Sequence, residues 1–261
     1  MGKDMRGFVF FCAFFLSLLR LDKGVFLEAH PFLKNDRLAF YGDSNTDWGS
    51  YHKIIQEYFH KFYPEQDLQA LNEGMAGDSI SAGYYWRLEE RVFPKKPNVL
   101  FVMFGINDLN WGRDLSFKNR ETFLLHTEMT VQKAFDSGVR DVYVLTYPAT
   151  DFPLEGSDPV LCAKIPEVTE AEDSPLQKIG DEAIARSRLI CSKDGRCAKG
   201  IDIERPMRKV LRESRSANIR YHDVDGVHLN ARGNQLVAEL ILKGLGEPSD
   251  QIEKFLKNHL N

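Results

Sequence analysis

The chain has 261 residues, 43% hydrophobic and 28% charged, which is enough for one good hydrophobic core and short for two. Its formal net charge of −4 offers no basic excess, so the composition argues against nucleic-acid binding. A mildly acidic balance of this size speaks to solubility.

The chain begins MGKDMR and continues GFVFFCAFFLSLL over residues 7–19. A basic start followed by a short apolar run is the pattern of a secretory signal peptide. The run falls short of the roughly 18–20 residues that span a bilayer. Its phenylalanines leave no polar face, which argues against a helix of the domain. The expectation is export, with cleavage between Leu21 and Ala29; the alternative is a retained membrane anchor. Residues 1–29 are thus set apart from a single domain over residues 30–261. Of the cysteines, Cys12 would leave with the signal, and Cys162, Cys191 and Cys197 cannot all pair within one chain. Cys191 and Cys197 flank the turn-like SKDGR, so an exported protein can join them. Free thiols are the alternative, and the spacing is poor for zinc.

Residues 38–41 (LAFY) read as a short strand. Trp48, Tyr51, Ile55, Tyr58, Phe59 and Phe62 follow at spacings of three and four, one face of a helix that Pro64 stops. Residues 68–71 form a weaker strand. Residues 80–93 read as a helix carrying Tyr84, Leu88 and Val92 on one face. VLFVMF, residues 99–104, is apolar without alternation, as in a parallel strand covered on both faces. A helix over residues 117–135 ends at Ser137-Gly138, and residues 142–146 form the fourth strand. Residues 151–173, rich in Pro, Glu and Asp, read as a surface excursion beside the site. Ser174-Pro175-Leu176-Gln177 opens a helix with a capping box and a first-turn proline. Residues 200–203 suggest a fifth strand, and an amphipathic helix over residues 236–245 closes the chain.

Repeated β-α-β units imply a parallel sheet with helices on both faces. Ligands then sit at the carboxyl ends of the strands, which directs attention to the loops there. They are Gly42-Asp43-Ser44-Asn45, residues 72–78 (NEGMAGD), Gly105-Ile106-Asn107-Asp108 and residues 223–230 (DVDGVHLN). Together they hold the parts of acyl transfer: a serine, a base, an orienting carboxylate and oxyanion donors. Ser44 is the candidate nucleophile, at a strand-to-helix turn. His228 is the candidate base and Asp225 its partner. The N–H groups of Ser44 and Gly77 and the amide of Asn107 are candidates for the oxyanion hole.

The four blocks resemble those of the SGNH (GDSL-type) hydrolases, a family of esterases and lipases. The nucleophile motif matches Gly42-Asp43-Ser44, the second block Asn72 to Ser79, Gly-x-Asn-Asp matches residues 105–108, and Asp-x-x-His matches residues 225–228. The resemblance implies a flavodoxin-like three-layer α/β/α sandwich around a parallel sheet of about five strands. It implies a Ser44–His228–Asp225 triad, an oxyanion hole of Ser44, Gly77 and Asn107, and no metal or organic cofactor. The second Gly-Asp-Ser, at residues 77–79, then supplies a glycine to the hole, and Ser79 is a helix cap. Gly77 lets the backbone approach a substrate oxygen closely. One departure is Asn45, where family members commonly carry leucine or isoleucine. The elbow G-x-S-x-G of α/β-hydrolases is absent.

The expected substrate is a small-molecule or glycan ester carrying a short acyl or acetyl group. Lipase, lysophospholipase and thioesterase activities are alternatives within the family. Two further classes compete: a metal-dependent phosphoesterase built from Asp43, Asn72, Asn107 and His228, and a non-catalytic glycan-binding relative. Asp43 and Asp108 are read as loop-holders, His222 as structural or rim, and Trp48 and Trp86 as core residues. Trp111 is a core residue or the border of a substrate pocket. Contact with a membrane is expected only through the N-terminal segment, and the oligomeric state stays open.

Overall fold

Five short segments supply the strands: β1 (Arg37–Gly42), β2 (Gln69–Gly74), β3 (Val99–Met103), β4 (Asp141–Leu145) and β5 (Lys199–Ile201). The computed structural model describes residues 32–83, 86–110, 114–151 and 174–259. All pairings are parallel, in the order β2-β1-β3-β4-β5. Strand order reverses at β1, and in such doubly wound sheets the ligand crevice opens at that point. Every residue of β3 and β4 is buried, as the unalternating apolar sequence of β3 requires.

The helices are α1 (Ser44–Asp47), α2 (Tyr51–Phe62), α3 (Ile80–Gly83), α4 (Phe117–Asp136), α5 (Pro175–Ser187), α6 (Glu204–Ser214), α7 (Ala231–Gly244) and α8 (Ser249–His259). The period of two along each strand sorts the core into two layers. Phe40, Phe101 and Tyr143 point to one face, their rings stacked at 4.7 and 5.0 Å, in a cluster with apolar residues of α2, α6, α7 and α8. Tyr41, Leu100, Val102, Val142 and Val144 point to the other, with Leu124 and Val131 of α4 and Ile179 and Ala183 of α5. The result is the three-layer α/β/α sandwich expected.

Several local readings need correction. Residues 84–85 of the helix expected over residues 80–93 lie outside the described residues; α3 (Ile80–Gly83) precedes them, and beyond them the chain takes a widened π turn (Leu88–Val92) and a 3-10 turn (Phe93–Lys95). Pro94 lacks an N–H and cannot continue a helix, and the wide turn directly follows Arg87, whose side chain is buried. Trp48 is 67% exposed and Trp86 41% exposed, so neither is a core residue. Trp48 follows the end of α1, and Gly49-Ser50 separates it from α2, which takes it off that helix's buried face. The capping box at Ser174 is half made: Ser174 Oγ accepts the Gln177 N–H at 3.0 Å, but the Gln177 side chain turns to Asp181. Helices α6 and α8 were not anticipated, and α7 begins earlier, at Ala231, capped by Asn230.

Cys191 and Cys197 are joined by a disulfide. The signal segment, its cleavage region, Cys12, Tyr84, Trp111, Cys162 and the excursion beyond Asp151 lie outside the described residues. Among the described residues no helix is long and apolar enough to cross a membrane.

Candidate active site

β1 delivers Asp43 and Ser44 to the carboxyl edge of the sheet. Asp43 caps α1, its Oδ1 accepting the Asn45 N–H at 3.0 Å. Ser44 is the first residue of that helix, and its Oγ lies 2.9 Å from His228 Nε2. On the other side of the ring, His228 Nδ1 is 2.5 Å from Asp225 Oδ2. The second Asp225 oxygen accepts the N–H groups of Val227 and His228, both at 2.9 Å. Burial pushes the Asp225 carboxyl up, but the hydrogen bonds from the His228 ring and these two N–H groups outweigh it and hold the group below its ordinary value. An ionised carboxylate at Nδ1 favours the tautomer in which Nε2 accepts from the serine. The exposed Trp48 ring sits 4.9 Å from the imidazole, tilted by 46°.

The second and third blocks meet beside this group. Asn107 Nδ2 donates to the Asp78 carbonyl at 2.7 Å, which ties the loop after β3 to the segment that carries Gly77. Gly77 has φ +76, a conformation that favours glycine. No heavy atom lies within 4 Å of a Cβ built there, so within the fold its backbone angle, rather than crowding, calls for glycine. Crowding is the reason at Gly74, where a Cβ would stand 2.1 Å from the Asp47 nitrogen. Among the described residues no acceptor takes the N–H of Ser44 or of Gly77.

Asp78 pairs with Arg87, which is fully buried and also donates to the Glu73 carbonyl and, at 3.5 Å, to that of Gly42. The guanidinium lies 4.8 Å over the Tyr41 ring. Asp108 accepts the N–H groups of Ile80 and Ser81 at 3.1 Å and the Ser81 hydroxyl at 3.0 Å, so it holds a loop as expected. Ser79 Oγ accepts the Ala82 N–H at 3.1 Å, a cap. Asn72 stays out of the group: it donates to the Asp47 carbonyl and accepts the Gly74 N–H. Asp43 is buried with Oδ2 unpartnered among the described residues, and desolvation pushes its pKa up to about 7. His222 is buried behind the His228 loop, and desolvation pushes its pKa down to about 4. Among the described residues no three His, Cys, Asp or Glu side chains gather as a metal site.

Sequence reasoning missed Arg87, Tyr147 and Asn234, and saw Asn45 only as a departure from a motif. Asn45 is buried between Tyr147 and the His228 loop. Asn234 of α7 accepts the N–H groups of Ser50 and Tyr51 and donates to the carbonyls of Leu229 and Asn230. A buried polar residue needs partners, but nothing in one sequence names those partners.

Residues 40–236 match the GDSL-like lipase/acylhydrolase family. An acetylxylan esterase from Geobacillus stearothermophilus is 24% identical over 234 residues, covering 81% of this chain and 94% of that protein. The crystal structure of Axe2, an acetylxylan esterase from the same organism, superposes with a TM-score of 0.62 at 21% identity, over 84% of this chain and 97% of that one. BT4096, a gut microbial diltiazem-metabolizing enzyme, gives a TM-score of 0.63 at 23% identity over 83% of this chain, which spans 48% of that larger protein. These structures share the fold. With 40–236 matched, the chain belongs to the GDSL-like lipase/acylhydrolase family and is a carboxylic ester hydrolase.

Proposed function

We propose that the chain cleaves short acyl esters, acetyl above all, through a Ser44–His228–Asp225 triad. The observation that carries this reading is the Ser44 Oγ to His228 Nε2 contact of 2.9 Å, with Asp225 on Nδ1. His228 takes the Ser44 proton as Oγ attacks the ester carbonyl. The tetrahedral oxyanion forms against the N–H groups of Ser44 and Gly77 and the Asn107 amide. Asp225 stabilises the imidazolium, which then protonates the leaving alcohol. Water, activated by the same histidine, hydrolyses the acyl-serine.

The alcohol is proposed to be a carbohydrate. The departing oxygen must lie near His228 Nε2, so whatever borders that imidazole borders the alcohol. Trp48 does so, and it is two-thirds exposed. An amphipathic aromatic ring left in water beside the catalytic base offers a flat face to an equally amphipathic sugar ring. The acetylxylan esterase relative supports the same reading. Export is proposed from the basic, Phe-rich start of the chain, and the Cys191–Cys197 disulfide supports it, since such bonds persist in oxidising compartments.

The test is hydrolysis of p-nitrophenyl acetate, butyrate and octanoate and of acetylated xylo-oligosaccharides, with EDTA present. Ser44→Ala should lose at least about 10³-fold in kcat with the fold intact, whereas Ser79→Ala should be mild. Trp48→Ala should raise KM for the oligosaccharide and leave turnover of a small-alcohol ester such as ethyl acetate near that of the parent. A fully active Ser44→Ala would overturn the triad. A preference for octanoate would move the reading to a lipase.

A further inference from the structure

We infer that Asn45 is a positioning residue: its side-chain amide sets where His228 stands relative to Ser44. The inference rests on the triad reading. Asn45 is the chain neighbour of Ser44, and Val227 and Leu229 are the chain neighbours of His228. The amide spans the two. Its Nδ2 donates to the Val227 carbonyl at 3.1 Å, and its Oδ1 accepts the Leu229 N–H at 2.9 Å. Nδ2 also donates to the Tyr147 hydroxyl at 2.7 Å, and that hydroxyl stands 3.3 Å from Asp43 Oδ1.

A carboxamide has two N–H groups and one oxygen, and all three are engaged here. A carbonyl on one side and an N–H on the other leave one sensible orientation for the amide, so it is fixed rather than free to flip. The bracket closes around His228 from the nucleophile's own segment. Other ties hold the loop from elsewhere: Asn230 donates to the carbonyls of Arg220 and His222, and the Asp151 N–H donates to the Gly226 carbonyl. None of these refers the histidine to Ser44. The amide does, and α1, only four residues long, is too short to hold its own position without tertiary ties.

Leucine, common at this position in the family, has the same branched shape but carries two bulkier methyl groups that make no hydrogen bond. In this chain it would leave the Val227 carbonyl, the Leu229 N–H and the Tyr147 hydroxyl buried without these partners. Each such loss is costly, and a displacement of the flanks of His228 would relieve it. A shift of about 1 Å at a reacting pair can cost about 10²-fold in rate.

The test uses the purified full chain and its variants Asn45→Leu and Asn45→Asp. kcat and KM on p-nitrophenyl acetate, and the rate at which a fluorophosphonate labels Ser44, are measured where circular dichroism shows the fold intact. Asn45→Leu should lose about 10–100-fold in kcat and in labelling rate, with KM within about twofold. Asn45→Asp keeps an acceptor for Leu229. Ionised, it turns an oxygen on the Val227 carbonyl; protonated, it can donate there again. Its kcat relative to the parent at the same pH should therefore rise as pH falls. A merely structural role would lower the melting temperature and leave that ratio flat. The inference is overturned by a folded Asn45→Leu with parental kcat and labelling, by a loss confined to KM, or by a flat ratio for Asn45→Asp. If Asn45→Leu does not fold, the isosteric Asn45→Asp decides alone. The Ser44→Ala control separates failures: an active Ser44→Ala sinks the triad itself, while an inactive one beside a fully active Asn45→Leu sinks only this inference.

Discussion

The loops that carry Ser44, Gly77 and Asn107 are tied together largely by carboxyl groups and the Arg87 guanidinium, whereas the loop that carries His228 is tied largely by neutral amides. On the first side stand Asp43, the Asp78–Arg87 pair and Asp108. On the second stand Asn45, Asn230 and Asn234. The difference follows the charges the proposed reaction creates. Negative charge grows on the substrate oxygen beside the first loops, where an uncompensated carboxylate would oppose it. Each carboxylate there is answered: Asp78 by a guanidinium, Asp108 by two N–H groups and a hydroxyl, and Asp43 by burial that favours its neutral form. Positive charge grows on His228, and there an ionised partner, Asp225, lies against the ring. Neutral amides can then fix the loop without adding a second charge.

The contrast is broken most severely at Arg87. Arg87→Leu leaves Asp78 unpaired in the interior, which should cost about 3–5 kcal/mol in a urea unfolding measurement. Adding Asp78→Leu should recover only part of this, because the Gly42 and Glu73 carbonyls still lack their donor. Full recovery would mean that the guanidinium serves only its carboxylate. Next comes Asn107→Ala, which should lower kcat by about 10²–10³-fold with little change in KM. An unchanged kcat would reduce Asn107 to a tie on the Asp78 carbonyl.

The smallest effect sharpens the account of Asp43. Folded, it keeps its proton to about pH 7, against an ordinary value of 3.8. Between those values the folded state binds more protons than the unfolded chain, so this group's contribution to stability falls as pH rises through the window. Asn in its place cannot ionise and still caps α1. The melting temperature of Asp43→Asn minus that of the parent should therefore grow from about pH 4 to about pH 7 and level off above. The difference is needed because His52 and His222, pushed by burial from 6.5 down to about 4, contribute with the opposite sign: the stability due to each is lost as pH falls through that interval. A difference that does not change with pH would show that Asp43 is ionised in the fold.

How much of this was legible in the sequence depends on which kind of signal a residue carries. β3 announced itself as an unbroken apolar run, and four polar blocks, three of them directly after strands, spelled out a family. Ile252, Phe255 and Leu256 have helical spacing and should have revealed α8. Arg87 gave no warning, since a charged residue beside Leu88 looks like a solvated flank and only the three-dimensional meeting of Glu73, Asp78 and Gly42 brings it inside. Trp48 misled for the opposite reason. Its size and spacing resembled a buried face, yet Gly49-Ser50 breaks the helix after it and leaves the ring beside His228.

The contact between Ser44 and His228 bridges 184 residues of chain. During synthesis β1, β2 and β3 emerge with their loops well before the His228 loop, so a nascent chain that has reached β4 holds Ser44 and the proposed oxyanion donors but not the proposed base. Such a long closure also forms late, because its entropy must be met before its contacts reward it. On the proposed mechanism, the chain stays chemically silent throughout its own manufacture, and ester cleavage starts only when the last structural layer has docked.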